Sequence, residues 1–392
     1  MSDFERPAFR ASSVRARVKP FLAMDVLNAA VARENAGAPV IHLEIGEPAA
    51  PPPRLVREAA IKALGGTRIS YTQALGRPSL RERIARYYRD RHALTVAAER
   101  VVVTTGSSGG FVLAFLALFD VGARVLIANP GYPAYRNIMQ ALGVEAVGAA
   151  TSAATGHIVT AGMIEAAHRV QSLDGVLLMS PANPTGVMTP APELAAICRT
   201  CDRLGIAFIS DEIYHGLTYG APEASALATT ERAVVINSFS KYYCMTGWRV
   251  GWMVVPESLV RPIERLQQNL SISVPTLSQI AAEAAFDCVD ELEAVKAGYA
   301  ANRAVLMDEL PRIGFGRIQP MDGAFYAYVD VGEFTNDSVA FCGKMLAEAG
   351  VATTPGLDFD PDNGRRALRI SYAGSADDIR GAVAALKGWL RA

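Results

Sequence analysis

The sequence predicts an α/β protein: a mostly parallel seven-stranded sheet with helices on both faces, followed by a smaller α+β domain. Three observations predict it. Short apolar, β-branched runs recur at residues 100–105, 124–128, 144–149, 175–180, 206–210, 234–237 and 250–255. They are continuous rather than alternating, as strands covered on both faces are. Helical apolar spacing fills several of the intervals, at 134–141, 160–171 and 192–204, and strands alternating with helices make a parallel sheet. The alternation then stops. A helical pattern at 291–310 precedes two strand patterns, 325–330 and 366–371, with helices at 338–349 and 376–390. The expected organisation is an N-terminal arm and segment joining the small domain (1–50), a large domain (51–290) and a small C-terminal α+β domain (291–392).

From the N-terminus, residues 1–18 are polar and basic and read as an arm, free or docked on a partner subunit. Residues 21–35 have helical spacing, with Phe21, Met24, Leu27 and Val31 on one face. A short strand at 40–45 leads to Gly46-Glu-Pro48 and the prolines Pro51 to Pro53, a break that reads as a crossover. Residues 54–64 are helical. The loop from Tyr71 to Arg81 enters a helix at 79–91, where Ser79 and Glu82 have capping-box spacing. Gly106-Ser-Ser-Gly-Gly110 opens the apolar helix 111–119, and the helices 257–270 and 276–287 lead out of the large domain.

Composition narrows the function. Of 392 residues 51% are hydrophobic and 20% charged, the balance of an ordinary globular chain with a sizeable core. The net charge of −1 gives no broad attraction to nucleic acid or to an anionic membrane. No apolar run is long enough to span a bilayer and no signal-peptide core is visible, so a cytoplasmic protein is expected. The five cysteines are odd in number and scattered, as reduced thiols are. Cys198 and Cys201 have Cys-x-x-Cys spacing but lie in a helical pattern with no second Cys or His pair near them, and the five histidines show no ligand spacing; no metal site is expected.

The chemistry gathers on loops that follow strands, where open α/β sheets bind ligands. Lys241 lies in Asn237-Ser-Phe-Ser-Lys-Tyr-Tyr-Cys-Met-Thr-Gly-Trp-Arg-Val-Gly251, between two buried strands. A lysine desolvated there, or close to other cations, loses its proton and becomes a nucleophile. Arg249 and the hydroxyls of Ser238 and Ser240 can hold a phosphate beside it. An imine-forming amine next to a phosphate cup suits pyridoxal phosphate, which carries an aldehyde and a phosphate. Gly106-Ser107-Ser108 at a helix start is a second phosphate cradle, or a plain tight turn. Tyr132, in Asn129-Pro-Gly-Tyr-Pro-Ala-Tyr135, can stack on a ring. Asn183, set between prolines, can donate to a phenolate oxygen. Asp211 ends a buried strand and needs a cationic partner, for which a pyridinium is one candidate; Tyr214 follows it. Arg369, in a strand of the small domain, can fork onto a carboxylate or form an interdomain ion pair.

In this order the motifs resemble those of the class I/II aminotransferases, the fold-type I pyridoxal-phosphate enzymes, over about residues 40–372. The resemblance implies that Lys241 forms the aldimine with pyridoxal 5′-phosphate and later moves the proton. It implies that Asp211 holds the pyridinium, that Asn183 and Tyr214 bind the ring oxygen and that Tyr132 stacks on the ring. Ser107, Ser108, Ser238 and Arg249 would hold the phosphate, with Tyr71 reaching in from the second subunit of a homodimer with shared active sites. Gly46 and Arg369, with Asn183, would bind the substrate carboxylate. The activity implied is transfer of an amino group between an L-amino acid and a 2-oxo acid. Two alternatives stand beside it: a carbon–sulfur β-lyase of the same fold and cofactor, and a non-catalytic ligand-binding module. Two features depart from the family pattern. The basic residue that dicarboxylate-specific members use is not identifiable, Arg77 and Arg136 being the candidates, and Asp360 stands where members often have glycine.

Overall fold

A computed structural model describes residues 13–66 and 68–391. Most of the basic arm expected at 1–18 therefore lies outside the described residues. The seven expected strands form one sheet in the order Val101–Thr104, Gly251–Val254, Val234–Ser238, Ala207–Asp211, Gly175–Met179, Arg124–Asn129, Glu145–Ala150. All neighbours are parallel except those of Gly251–Val254, which runs antiparallel on both sides because the chain returns directly from the lysine loop. The continuous apolar runs are explained by two cores. Val103, Leu126, Val176, Phe208, Val235 and Trp252 face one, and Val102, Ile127, Leu177, Ile209, Ile236 and Met253 the other.

The helix Val289–Arg312 leads to a four-stranded antiparallel sheet in the order Thr354–Pro355, Ala367–Ser371, Tyr326–Asp330, Arg317–Ile318. The N-terminal segment pairs with this part of the chain. Ile41–His42 runs parallel to Val351–Ala352, and Leu43 N–H donates to the Ala352 carbonyl at 3.0 Å. Two local expectations are corrected. The helix expected at 79–91 spans Pro78–His92 and has no capping box. Pro78 starts it, so Ser79 lies inside the first turn and donates instead to Glu283 at 2.8 Å. The helix Leu22–Asn35 does not bury the face of Met24 and Val31, which are 45% and 41% exposed. It buries Ala23 and Ala30, and Ala30 packs on Leu346 and Ala352.

Candidate active site

Ten of the twelve residues expected at the site line one cleft of about 240 Å³: Gly46, Ser107, Ser108, Tyr132, Asn183, Asp211, Tyr214, Lys241, Arg249 and Arg369. Strand ends bring them together. Asp211 closes its strand, Asn183 and Lys241 follow theirs by a few residues, and Tyr132 lies in the turn after Asn129. The two others are elsewhere. Ser238 lies behind the cleft wall, where its hydroxyl is bonded to Ser240 Oγ (3.0 Å) and the Val250 carbonyl (3.2 Å). Ser240 takes its place on the wall. Tyr71 is 79% exposed and outside its own chain's cleft.

At one end of the cleft, Ser107 and Ser108 sit in the first turn of the helix Gly106–Leu118, whose first N–H groups lack intrahelical partners. Arg249 closes over this end. Gly106 has φ +65° and no room for a Cβ, which would strike the Arg249 guanidinium. A Cβ at Gly251 would likewise crowd the Gly106 carbon and the Ser107 nitrogen, both at 3.1 Å. Two glycines therefore keep open a cradle of N–H groups, hydroxyls and a guanidinium, which fits a phosphate.

Lys241 Nζ donates to the Gly46 carbonyl at 2.6 Å. Burial, with Arg369 and Arg249 nearby, lowers its pKa to about 8 against the opposing pull of Glu47 and Asp211. Asp211 is 1% exposed. Its carboxylate accepts from the Tyr135 hydroxyl and from Ile213 N–H (3.0 Å), and burial pushes its pKa up to about 7. No cation within ion-pair distance compensates it among the described residues. A protonated pyridine nitrogen would supply that charge, so the donor set fits pyridoxal phosphate at this end as well.

The opposite wall comes from the small sheet. Arg369 is 2% exposed, yet makes no ion pair among the described residues. Its guanidinium donates to Asn183 Oδ1 (3.1 Å), Thr354 Oγ1 (3.2 Å) and the Glu44 carbonyl, and lies between the rings of Tyr326 (4.5 Å) and Phe359 (4.7 Å). Its Nε has no partner. A buried cation with an orphan donor on a cleft wall has the chemistry to receive a carboxylate. Neither Arg77 nor Arg136 lines the cleft. Arg136 is bound instead to the Phe359 carbonyl at 2.6 Å. Asp360 caps a turn, accepting from Asp362 and Asn363 N–H, each at 3.0 Å.

Three contributions escaped the sequence reading. Tyr135 holds Asp211; its signal was its place one helical turn before the buried Met139. Tyr326 meets Tyr214, hydroxyl to hydroxyl, at 2.7 Å. The start of the helix Leu22–Asn35 adds Phe21, Ala23 and Met24 to the cleft, anchored by Asp358, which accepts from Leu22 N–H (3.1 Å) and Ala23 N–H (3.2 Å). No local signal marks those two. Away from the cleft, the fold also brings His92, His215 and Glu223 together, their ligand atoms within 4.8 Å of one another. Glu223 there already accepts from the Arg91 guanidinium and from Gly216 N–H (2.7 Å).

Comparison with known proteins agrees with this geometry. The family model for aminotransferase class I and II matches residues 38–386. The chain is 50% identical over 382 residues to a valine–pyruvate aminotransferase of Mycobacterium tuberculosis, covering 96% of this chain and 98% of that one. It is 34% identical over 375 residues to a (5-formylfuran-3-yl)methyl phosphate transaminase of Methanocaldococcus jannaschii, covering 94% and 96%. The crystal structure of an aminotransferase from Mycobacterium tuberculosis superposes with a TM-score of 0.95 at 50% identity, covering 97% of this chain and 99% of that one. The chain belongs to the class I and II aminotransferases.

Proposed function

We propose that this aminotransferase uses pyridoxal 5′-phosphate to move the amino group of an L-amino acid with a small apolar side chain to a 2-oxo acid such as pyruvate. The observation that carries the substrate class is the charge inventory of the cleft. Its basic residues are Lys241, Arg249 and Arg369, each with a use already. Phe21, Ala23, Met24 and Ile45 add apolar surface, and Glu47, also on the wall, disfavours a second carboxylate on the substrate. The 50% identical relative is named for valine and pyruvate, which supports the same class. Rates for valine, aspartate and lysine with pyruvate and with 2-oxoglutarate, and for alanine with 2-oxoglutarate, test it. Valine with pyruvate, and alanine with 2-oxoglutarate, should each exceed aspartate with the same acceptor at least about tenfold in kcat/KM, the scale of one unpaired charge. Aspartate as the best donor would refute it.

In this reading Ser107, Ser108 and Arg249 hold the phosphate with Ser240, and Ser238 locks the loop behind it. Asp211 holds the ring nitrogen, Tyr132 the ring face, and Asn183 and Tyr214 the ring oxygen. Bound this way, the cofactor supplies an electron sink for the carbanion left when the substrate Cα–H bond breaks. Arg369 and the Gly46 backbone fix the substrate carboxylate and so orient that bond. Lys241, whose lowered pKa keeps a share of the amine neutral near pH 7–8, accepts the proton and returns it.

The same proposal includes a homodimer with shared sites. The loop of Tyr71 is pinned: Gln279 donates to Thr72 Oγ1 at 3.0 Å, and Thr276 to the Ser70 carbonyl. Tyr71 thus projects outward near other exposed apolar residues of adjoining segments, Ile69, Leu270 and Ile272. Ile272 has φ +64°, costly for a β-branched residue. Mixing Tyr71→Ala chains with Lys241→Ala chains tests it. Hybrid dimers regain activity if Tyr71 serves its partner's site and stay inactive if it serves its own. The division at residues 50 and 290, and a cytoplasmic location, belong to this proposal too. The five cysteines are all buried free thiols, as in a reducing compartment.

A further inference from the structure

Two buried hydroxyls meet at the centre of the cleft, and only one was foreseen. Tyr214 and Tyr326 are 2% and 1% exposed, and their oxygens lie 2.7 Å apart, each the other's sole hydrogen-bond partner among the described residues. The pair has two protons and shares one, so the other is free to serve a ligand in the cleft. Arg369 bears on which is shared. Its guanidinium lies 4.5 Å above the Tyr326 ring. A cation on the face of a phenol draws density from its oxygen and makes that hydroxyl the better donor. The backbone is built around the contact: a Cβ at Gly46 would collide with the Tyr326 hydroxyl. We propose that Tyr326 is a positioning residue that donates to the Tyr214 oxygen and thereby aims the Tyr214 proton at the ring oxygen of the cofactor. This rests on the cofactor reading above.

The test reads the visible absorption of the cofactor-loaded enzyme against pH. With the cofactor bound, the nitrogen joined to Lys241 would, while protonated, share that proton with the ring oxygen; once that proton was lost, the oxygen would lean harder on Tyr214. A stronger Tyr214 donor therefore stabilises the deprotonated form and lowers the midpoint, and weakening that donor raises it. The other charged and titratable groups facing the two hydroxyls, Arg369, Tyr132, Tyr135 and Tyr372, are left in place by Tyr326→Phe. That variant should raise the midpoint by about half a unit, the scale of one neutral hydrogen bond acting through an intermediary. In a Tyr214→Phe background it should do nothing further. Gly46→Ala, which displaces the hydroxyl with Tyr326 intact, should raise the midpoint in the same direction. An unmoved midpoint, or an equal shift with and without Tyr214, overturns the inference while leaving the cofactor reading intact. A wild-type protein with no visible band after loading overturns the cofactor reading, and the inference with it.

Discussion

Two of the regions in which this protein buries charge settle it in opposite ways. In the cleft, Lys241, Asp211 and Arg369 are desolvated without ion-pair partners among the described residues. In a second cavity, of about 670 Å³ and lined by Arg91, His92, Glu223 and Tyr242, the charges are matched. Glu223 accepts from Arg91 and from Gly216 N–H, and despite burial its pKa falls to about 2 beside His215 and Arg91. The pKa values move oppositely because one set of charges is complete and the other is not. Buried charge left unpaired costs stability and persists where a ligand completes it. Buried charge that is paired holds the fold.

The largest test of that difference is Lys241→Ala. Turnover should fall by more than about 10³-fold, since the proposed covalent anchor and proton carrier are both lost. The apo-protein should not lose stability. A lysine whose pKa falls from 10.5 to about 8 on folding binds its proton less well in the folded state. It therefore costs stability below about pH 8, and that cost disappears as pH rises to the unfolded value near 10.5. Thermal unfolding at pH 7 and pH 10 should show the variant gaining on wild type at the lower pH. A variant that keeps transaminase activity would remove Lys241 from its role.

Asp211→Asn should lower kcat by about 10²-fold or more, and cofactor affinity much less, because the ring nitrogen loses its counter-charge. A proportional fall in both would make Asp211 a binding residue only. Its stability effect has a defined sign. A carboxyl raised from 3.8 to about 7 on folding gives its full stability below pH 3.8 and loses it as pH rises through 7. Asparagine imitates the neutral form, so the apo-variant should be the more stable protein at pH 8, with no advantage near pH 4.

Arg369→Lys keeps the charge but loses the fork. A rise of about 10- to 100-fold in KM for the amino donor is expected, with kcat changed less. Steady-state kinetics with valine and pyruvate measure it, and an unchanged KM would mean the carboxylate binds elsewhere. The smallest effect on catalysis belongs to the paired region. Glu223→Gln leaves Arg91 short of its counter-charge and should cost about 1–2 kcal/mol in chemical denaturation, since Arg91 is partly exposed. Its kcat/KM should stay within about twofold of wild type. A large kinetic defect there would join the two regions functionally and dissolve the contrast between them.

What the sequence determined by itself was local. Strand identity followed from continuous apolar runs, and the seven strands appear where those runs lie. Asn183, Asp211 and Lys241 could be found because chemistry at the end of a parallel strand is encoded by a strand pattern followed at once by a turn. Tertiary structure decided whatever depends on residues distant in the chain. Nothing adjacent to Arg369 shows that the rings of Tyr326 and Phe359 pack on its guanidinium, or that its Nε lacks a partner among the described residues. Gly46 was identified as a contact for substrate, but the need for glycine there comes from Tyr326, which reaches it through the small sheet. Ser240 rather than Ser238 lines the cleft because the return of the chain at Val250 claims the Ser238 hydroxyl. Turn and strand preferences act over a few residues, so they place a side chain on its element. Which side chains then share a cavity, and whether their charges are matched or left for a ligand, is fixed only when the two sheets pack on either side of the cleft.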